Sequence, residues 1–167
     1  MRRFTLFITL FVIWILLTYA RPFNMITFQE NLIIGFLAAL LVGIYLGDLL
    51  PEKVYKFYQP HRIFALLGYL PVFFWYVILA NLDVAYRVLH PRLPIRPGIV
   101  KVKTGIKSET GRVALANSIT LTPGTLSVDL IGDTLYVHWI YVRSEDMEEA
   151  TRLIVKRFER YLKRIFD

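Results

Sequence analysis

The chain has no cysteine among its 167 residues, which removes disulfide frameworks, thiolate metal sites and cysteine nucleophiles together. Charge is nearly missing from the long apolar runs of its first half. Three apolar stretches, Phe4 to Ala20, Leu32 to Leu50 and Ile63 to Leu82, hold a single charged residue between them, Asp48, near an end. A protein that carries protons or cations through its own helices places Asp, Glu, Lys, Arg or His partway along them, because those costly residues form the pathway. Polar residues that would line a pore are lacking as well, which argues against a homo-oligomeric channel. The three histidines, His61, His90 and His138, have no spacing that makes a metal site. No Ser-His-acid set and no paired carboxylates stand out. The expectation is a chain without catalytic residues, cofactor or metal, and so not an enzyme.

What is present points to a membrane. Hydrophobic residues make up 56% of the chain and mean hydropathy is +0.48, above the apolar share of roughly 45–50% found in soluble domains. The excess lies before His90. The expected organisation is a transmembrane helical region over 1–89 with spans near 4–20, 32–50 and 63–82, a connector over 90–97, and a soluble domain over 98–167. The start Met-Arg-Arg with small residues near Ala20 also fits a secretory signal, but the run is longer than a signal core of about 7–15 residues. As a retained helix its 17 residues rise about 26 Å against a hydrocarbon core of about 30 Å, so it barely crosses, and with the second stretch it suggests a short hairpin.

The second stretch repeats small residues every four positions, Gly35, Ala39, Gly43 and Gly47. One helix face of this kind admits another helix backbone closely, from the same chain or from another protein. The third stretch contains Pro71, expected to bend it, and continues amphipathically through Leu89, with Asp83 and Arg87 spaced to pair on its exposed side. With three crossings, Arg2, Arg3, Lys53, Lys56 and Arg62 share one side of the membrane. Arg21, Arg87, Arg92, Arg96, Lys101, Lys103 and Lys107 share the other, so the larger cluster places the soluble part in the cytoplasm. The net charge of +7 follows from flanking a membrane and its anionic lipid, not from nucleic acid.

Three prolines stiffen 91–97. Beyond them the expected order is β-α-β-β-α: a strand over 98–104, a helix over 108–119 capped by Ser108 with Val113, Ala116 and Ile119 inward, and a strand over 125–131 with Leu126, Val128 and Leu130 on one face. Gly132-Asp133 makes a two-residue turn into a strand over 134–142. The last helix is capped by Ser144 or Asp146, acidic first and basic last as its dipole favours, with Met147, Ala150, Ile154, Phe158, Tyr161 and Ile165 along one stripe. The fold class is therefore two or three transmembrane helices plus a small α+β cytoplasmic domain. Pro123-Gly124 suits the centre of a type II turn, and Thr120, Thr122 and Thr125 can satisfy the backbone around it. The functional alternative is a hydroxyl-rich loop coordinating an ion; as a phosphate loop the segment is poor, with no lysine and little glycine.

The run Ala116 to Asp129 (ANSITLTPGTLSVD), the following Leu135 to His138, and Ala80 to Thr104 with its Arg96-Pro97-Gly98 resemble the E-type subunits of the Mrp-type multisubunit cation/proton antiporters of prokaryotes. The resemblance implies an accessory component in a cell membrane whose neighbours, other hydrophobic subunits, carry the ion path. It assigns no catalytic role, and its motif residues read as architecture. Two other classes remain: a stand-alone membrane-anchored module binding anionic lipid or RNA, and a self-assembling channel.

Overall fold

The computed structural model describes residues 1–19, 25–49 and 59–167. Ala20, Arg21, Leu50, Lys53 and Lys56 lie outside them. The chain forms two compact units, Met1–Gln59 and Pro60–Asp167.

In the first unit α1 (Arg2–Tyr19) and α2 (Met25–Leu46) pack together, and α2 ends in a short 3₁₀ turn, Gly47–Leu49. Nearly unbroken apolar sequence forms helices here because helix is the conformation that satisfies every backbone group without water. The hydroxyls obey the same constraint: Thr5, Thr9 and Thr18 donate to the carbonyls of Met1, Thr5 and Trp14 at 3.0, 2.7 and 2.8 Å. α2 begins at Met25, seven residues before the apolar run alone suggests.

The second unit starts with α3 (Pro60–Leu89), one helix that runs through Pro71. β1 (Gly98–Lys103), α4 (Glu109–Thr120), β2 (Thr125–Ile131), β3 (Thr134–Trp139), α5 (Met147–Ile154) and α6 (Lys156–Phe166) follow. The expected β-α-β-β-α order is present, with the last helix broken at Val155. The antiparallel sheet runs β1-β3-β2. Gly132 takes φ +61° at the first of the two turn residues and Asp133 stays at negative φ, the pattern of a II′ hairpin.

Val100, Val102, Leu135 and Val137 form the inner face of the sheet, and Leu115, Ile119, Ala150, Ile154, Phe158, Leu162 and Ile165 cover it. Ser108 Oγ accepts the Gly111 N–H at 3.3 Å and Asp146 Oδ1 accepts that of Glu149 at 2.9 Å, so both expected helix caps form.

Several expectations change, beginning with Met147, which leaves the stripe of the last helix and is 37% exposed. Leu126 and Val128 point outward, 50% and 55% exposed, because Ser127 and Thr125 turn inward to bond carbonyls of α4 and a bulge shifts the register between Ser127 and Asp129. In α4 it is Leu115, not Val113, that joins Ile119 in the core. The connector opens with a turn in which Leu93 is held at φ 41°, a strained value for a side chain with a Cβ, before it extends. Asp83 and Arg87 do pair, but at the edge of the domain, with Arg87 buried and Asp83 still 42% exposed.

α3 lies along α6 in the opposite chain direction. Its inner stripe is Arg62, Ala65, Tyr69, Phe73, Tyr76, Ala80, Asp83 and Arg87, spaced by threes and fours over seven turns. Arg62 donates to the Ile165 carbonyl at the end of α6. Tyr69, Phe73 and Tyr76 surround the Phe158 ring at centroid distances of 6.4, 6.1 and 5.7 Å. Arg87 stacks 4.2 Å from the Tyr141 ring centroid. The unit is thus layered as sheet, then α4, α5 and α6, then α3.

Candidate functional site

In the first unit the small-residue stripe of α2 is where α1 packs. A Cβ on Gly47 would lie 2.6 Å from the Arg3 Cα, and one on Gly43 would lie 3.1 Å from the Arg3 carbonyl and 3.2 Å from Phe7 Cβ. A Cβ on Gly35 would collide with the Trp14 indole. Ala39 is buried between them. The two helices touch closely only because these positions lack side chains. Trp14 Nε1 donates to the Asn31 carbonyl at 2.8 Å, and Phe36 meets Phe7 and Phe11 edge-on at 5.3 and 6.0 Å. Asp48 joins the guanidinium of Arg3 through two nitrogens, tying the start of α1 to the end of α2.

The two sequence motifs fall in the second unit and line two clefts. Arg96, Pro97 and Gly98 enter β1. Arg96 bridges to the chain after β3, its N–H donating to the Ile140 carbonyl at 3.1 Å while its own carbonyl accepts from Val142 at 2.8 Å. Its side chain pairs with Glu145 at 2.9 Å across an exposed cleft of about 440 Å³ that Val142 and Met147 also line.

Thr120, Thr122, Pro123, Gly124 and Thr125 form the turn between α4 and β2. The Thr125 N–H reaches the Thr122 carbonyl at 3.2 Å, and Gly124 takes φ +86°, as the third residue of a type II turn requires. Each hydroxyl is committed to backbone: Thr122 donates to Ser118 at 2.8 Å, Thr125 to Ile119 at 2.7 Å, and Thr120 accepts the Ser127 N–H at 3.1 Å. The three hydroxyls brace the turn through the backbone groups they bond.

Beside it a cleft of about 220 Å³ opens along the flank of α3, lined by Tyr76, Leu79, Asp83, the turn, Arg143 and Arg157. Periodicity does not single out Arg157. Its guanidinium lies 5.4 Å from the Tyr76 ring centroid and donates to the Ile154 carbonyl at 3.1 Å. Burial pushes it below its ordinary value, Tyr76 opposes that, and the neighbouring Arg143 charge pushes it down further. It remains a cation, as arginine does in proteins, and among the described residues no carboxylate pairs with it. Opposite, Arg87 holds Asp83 at 2.8 and 3.0 Å and donates to the Pro94 carbonyl at 2.6 Å, fastening the connector to α3. The cleft therefore offers two guanidinium groups and an aromatic wall. Among the described residues no cluster of His, Asp or Glu fit to hold a metal occurs.

Residues 7–165 match the sequence model of the family described as Na+/H+ ion antiporter subunit. The Na+/H+ antiporter E subunit of Alkalihalophilus pseudofirmus is 37% identical over 127 residues, 76% of this chain and 80% of that one. The Na+/H+ antiporter E1 subunit of Staphylococcus haemolyticus is 33% identical over 138 residues, 81% of this chain and 80% of that one. Among solved structures, a chain of the membrane-bound sulfane sulfur reductase, an archaeal respiratory membrane complex, superposes with a TM-score of 0.83 at 42% identity and covers 99% of both chains.

Proposed function

The chain belongs to the E-subunit family of Na+/H+ antiporters, and from that premise we propose that it is an accessory component of a multisubunit cation/proton antiporter in a prokaryotic cell membrane. It supports assembly while other hydrophobic subunits carry the ions. The observation that carries this reading is the fate of two acids at the ends of the apolar segments, Asp48 and Asp83; the remaining acid of the hairpin, Glu30, lies exposed near the start of α2. Asp48 is held by Arg3, and Asp83 by Arg87. A carboxylate in an ion path must be free to release and rebind its proton or cation, and a guanidinium held through two nitrogens works against that. In this reading α1 and α2 form a membrane hairpin, the sheet domain faces the cytoplasm, lipid is a contact, and neither cofactor nor nucleic acid takes part.

Affinity purification of the tagged chain from its native membrane tests this: several large hydrophobic proteins should accompany it, and recovery as a single species would sink the idea. Exchange measured in inverted vesicles sharpens the assignment. Asp48→Asn and Asp83→Asn should leave cation/proton exchange per assembled complex unchanged, whereas loss of exchange with assembly intact would put a carboxylate in the path.

A second reading rests on the archaeal respiratory complex, whose chain matches this one at 42% identity from end to end. The same accessory unit can serve a respiratory membrane complex, and the proteins that co-purify decide between the two.

A further inference from the structure

α3 has two apolar sides with different neighbours. Along the inner stripe Arg62, Tyr69 and Arg87 are buried, and Ala65, Phe73, Tyr76, Ala80 and Asp83 are half-buried, against its own domain. The outer side shows Phe64, Leu67, Leu70, Phe74, Trp75 and Ile78, between 40% and 72% exposed, and continues through Leu82 and Leu89. Thirty residues rise about 45 Å, more than a bilayer core of about 30 Å, so length and composition alone would have this helix cross.

The packing forbids it while the unit is intact. A helix standing across the bilayer would carry its attached domain in with it, including exposed Lys156, Arg160 and Arg164 of α6. Charged side chains at that depth are costly, and two further layers of secondary structure would follow them.

We propose that α3 lies in the plane of the membrane, its outer side bedded at the boundary between headgroups and acyl chains and its own domain standing above it in water. An isolated interfacial helix needs a polar face of its own. Here the folded domain takes that role, which is why α3 reads as apolar all round. The layer order runs from lipid-like to water-like: the exposed apolar side of α3, then basic α6, then a sheet whose outward face carries Lys101 and Lys103. The cleft on the flank of α3 holds Arg143 and Arg157 beside Asp83, whose charge Arg87 already takes up, and that net positive lining suits lipid phosphates as a neighbouring apolar helix would not.

The inference rests on the chain's belonging to a membrane complex, and its test separates the two. Because the chain lacks cysteine, single cysteines can be placed by His61→Cys, His90→Cys, Leu67→Cys, Phe74→Cys and Ile78→Cys in the full-length chain. All are at exposed or half-exposed positions, so the core is untouched. In native membranes an impermeant maleimide should label positions 61 and 90 from the same side. In vesicles of phosphatidylglycerol and phosphatidylethanolamine, spin labels at 67, 74 and 78 should report one shared shallow depth of about 5–10 Å.

Labelling of 61 and 90 from opposite sides, or a label at 74 near the midplane at about 15 Å, overturns the proposal. So does shielding of the outer positions from both oxygen and a nickel relaxant in the assembled complex, which would mean that a protein covers them. Co-purification with other subunits from the same membranes shows whether the accessory reading stands even if the orientation fails.

Discussion

α2 and α3 are alike in hydropathy and opposite in design. α2 gives its small residues to a partner helix and leaves its large ones outside: Gly35, Gly43 and Gly47 are buried while Ile33, Leu37, Leu41 and Tyr45 are exposed. α3 does the reverse on its covered side, where arginines and tyrosines reach across to a folded domain and end on named carbonyls and hydroxyls. Close approach of backbones, held by dispersion, suits a helix pair in lipid. Long side chains with polar tips suit a joint between an apolar helix and a water-borne domain. Apolarity alone therefore does not tell a helix that meets another helix from one that carries a domain.

The sharpest way to break this contrast is Phe158→Ala, which removes the ring that Tyr69, Phe73 and Tyr76 enclose. Removing so large a buried ring costs about 3–5 kcal/mol, and the second unit should lose its thermal transition in detergent while α1 and α2 keep their helical signal. Gly47→Leu tests the other region. Its side chain has to push Arg3 aside, an overpacking cost of about 1–3 kcal/mol. The expected result is a lower yield of chain in the assembled complex with the melting of the sheet domain unchanged, and equal yield would remove close packing as the reason for the glycine.

Tyr69→Phe is finer. It deletes only the hydroxyl that donates to Ser118 Oγ at 2.6 Å, while Ser118 keeps its bond to Ala114. About 1 kcal/mol should be lost, visible as a small drop in the melting temperature of the second unit alone.

The smallest effect is a titration. Burial pushes the Asp167 carboxyl up, but the backbone N–H groups of Ser108 and Lys107 that it accepts at 3.0 and 3.2 Å hold it below its ordinary value. Its stabilisation is therefore present at neutral pH and is lost as pH falls from near 4, about the ordinary aspartate value, through the lowered folded value. Asp167→Asn should lower the neutral plateau of the melting profile slightly and flatten its acid limb, so that variant and parent converge at low pH.

The sheet domain was legible from sequence because period-two alternation, the Gly132-Asp133 pair and the Ser108 and Asp146 caps each act locally. β2 misled for a physical reason. Leu126 and Val128 look like core, but Thr125 and Ser127 win the inward side by bonding the Ile119 and Ala116 carbonyls. The break at Val155 left no trace, since the apolar stripe runs through it. The Thr-Pro-Gly-Thr turn was readable as a turn, whereas its place beside α3 and Arg157 was not, because that depends on contacts between residues far apart in the chain. The Asp83–Arg87 pair followed from spacing, but the burial of Arg87 did not, since both sides of α3 are apolar.

Trp75 on the open side of α3 has an optical consequence. The chain has three tryptophans: Trp14 inside the hairpin, Trp75 outside α3 and Trp139 at the end of β3. With Trp14 and Trp139 replaced by Phe, the remaining indole becomes an intrinsic gauge of where α3 rests. Bromine-bearing acyl chains should quench its emission most strongly when the bromines sit near the headgroups and progressively less as they move toward the chain ends.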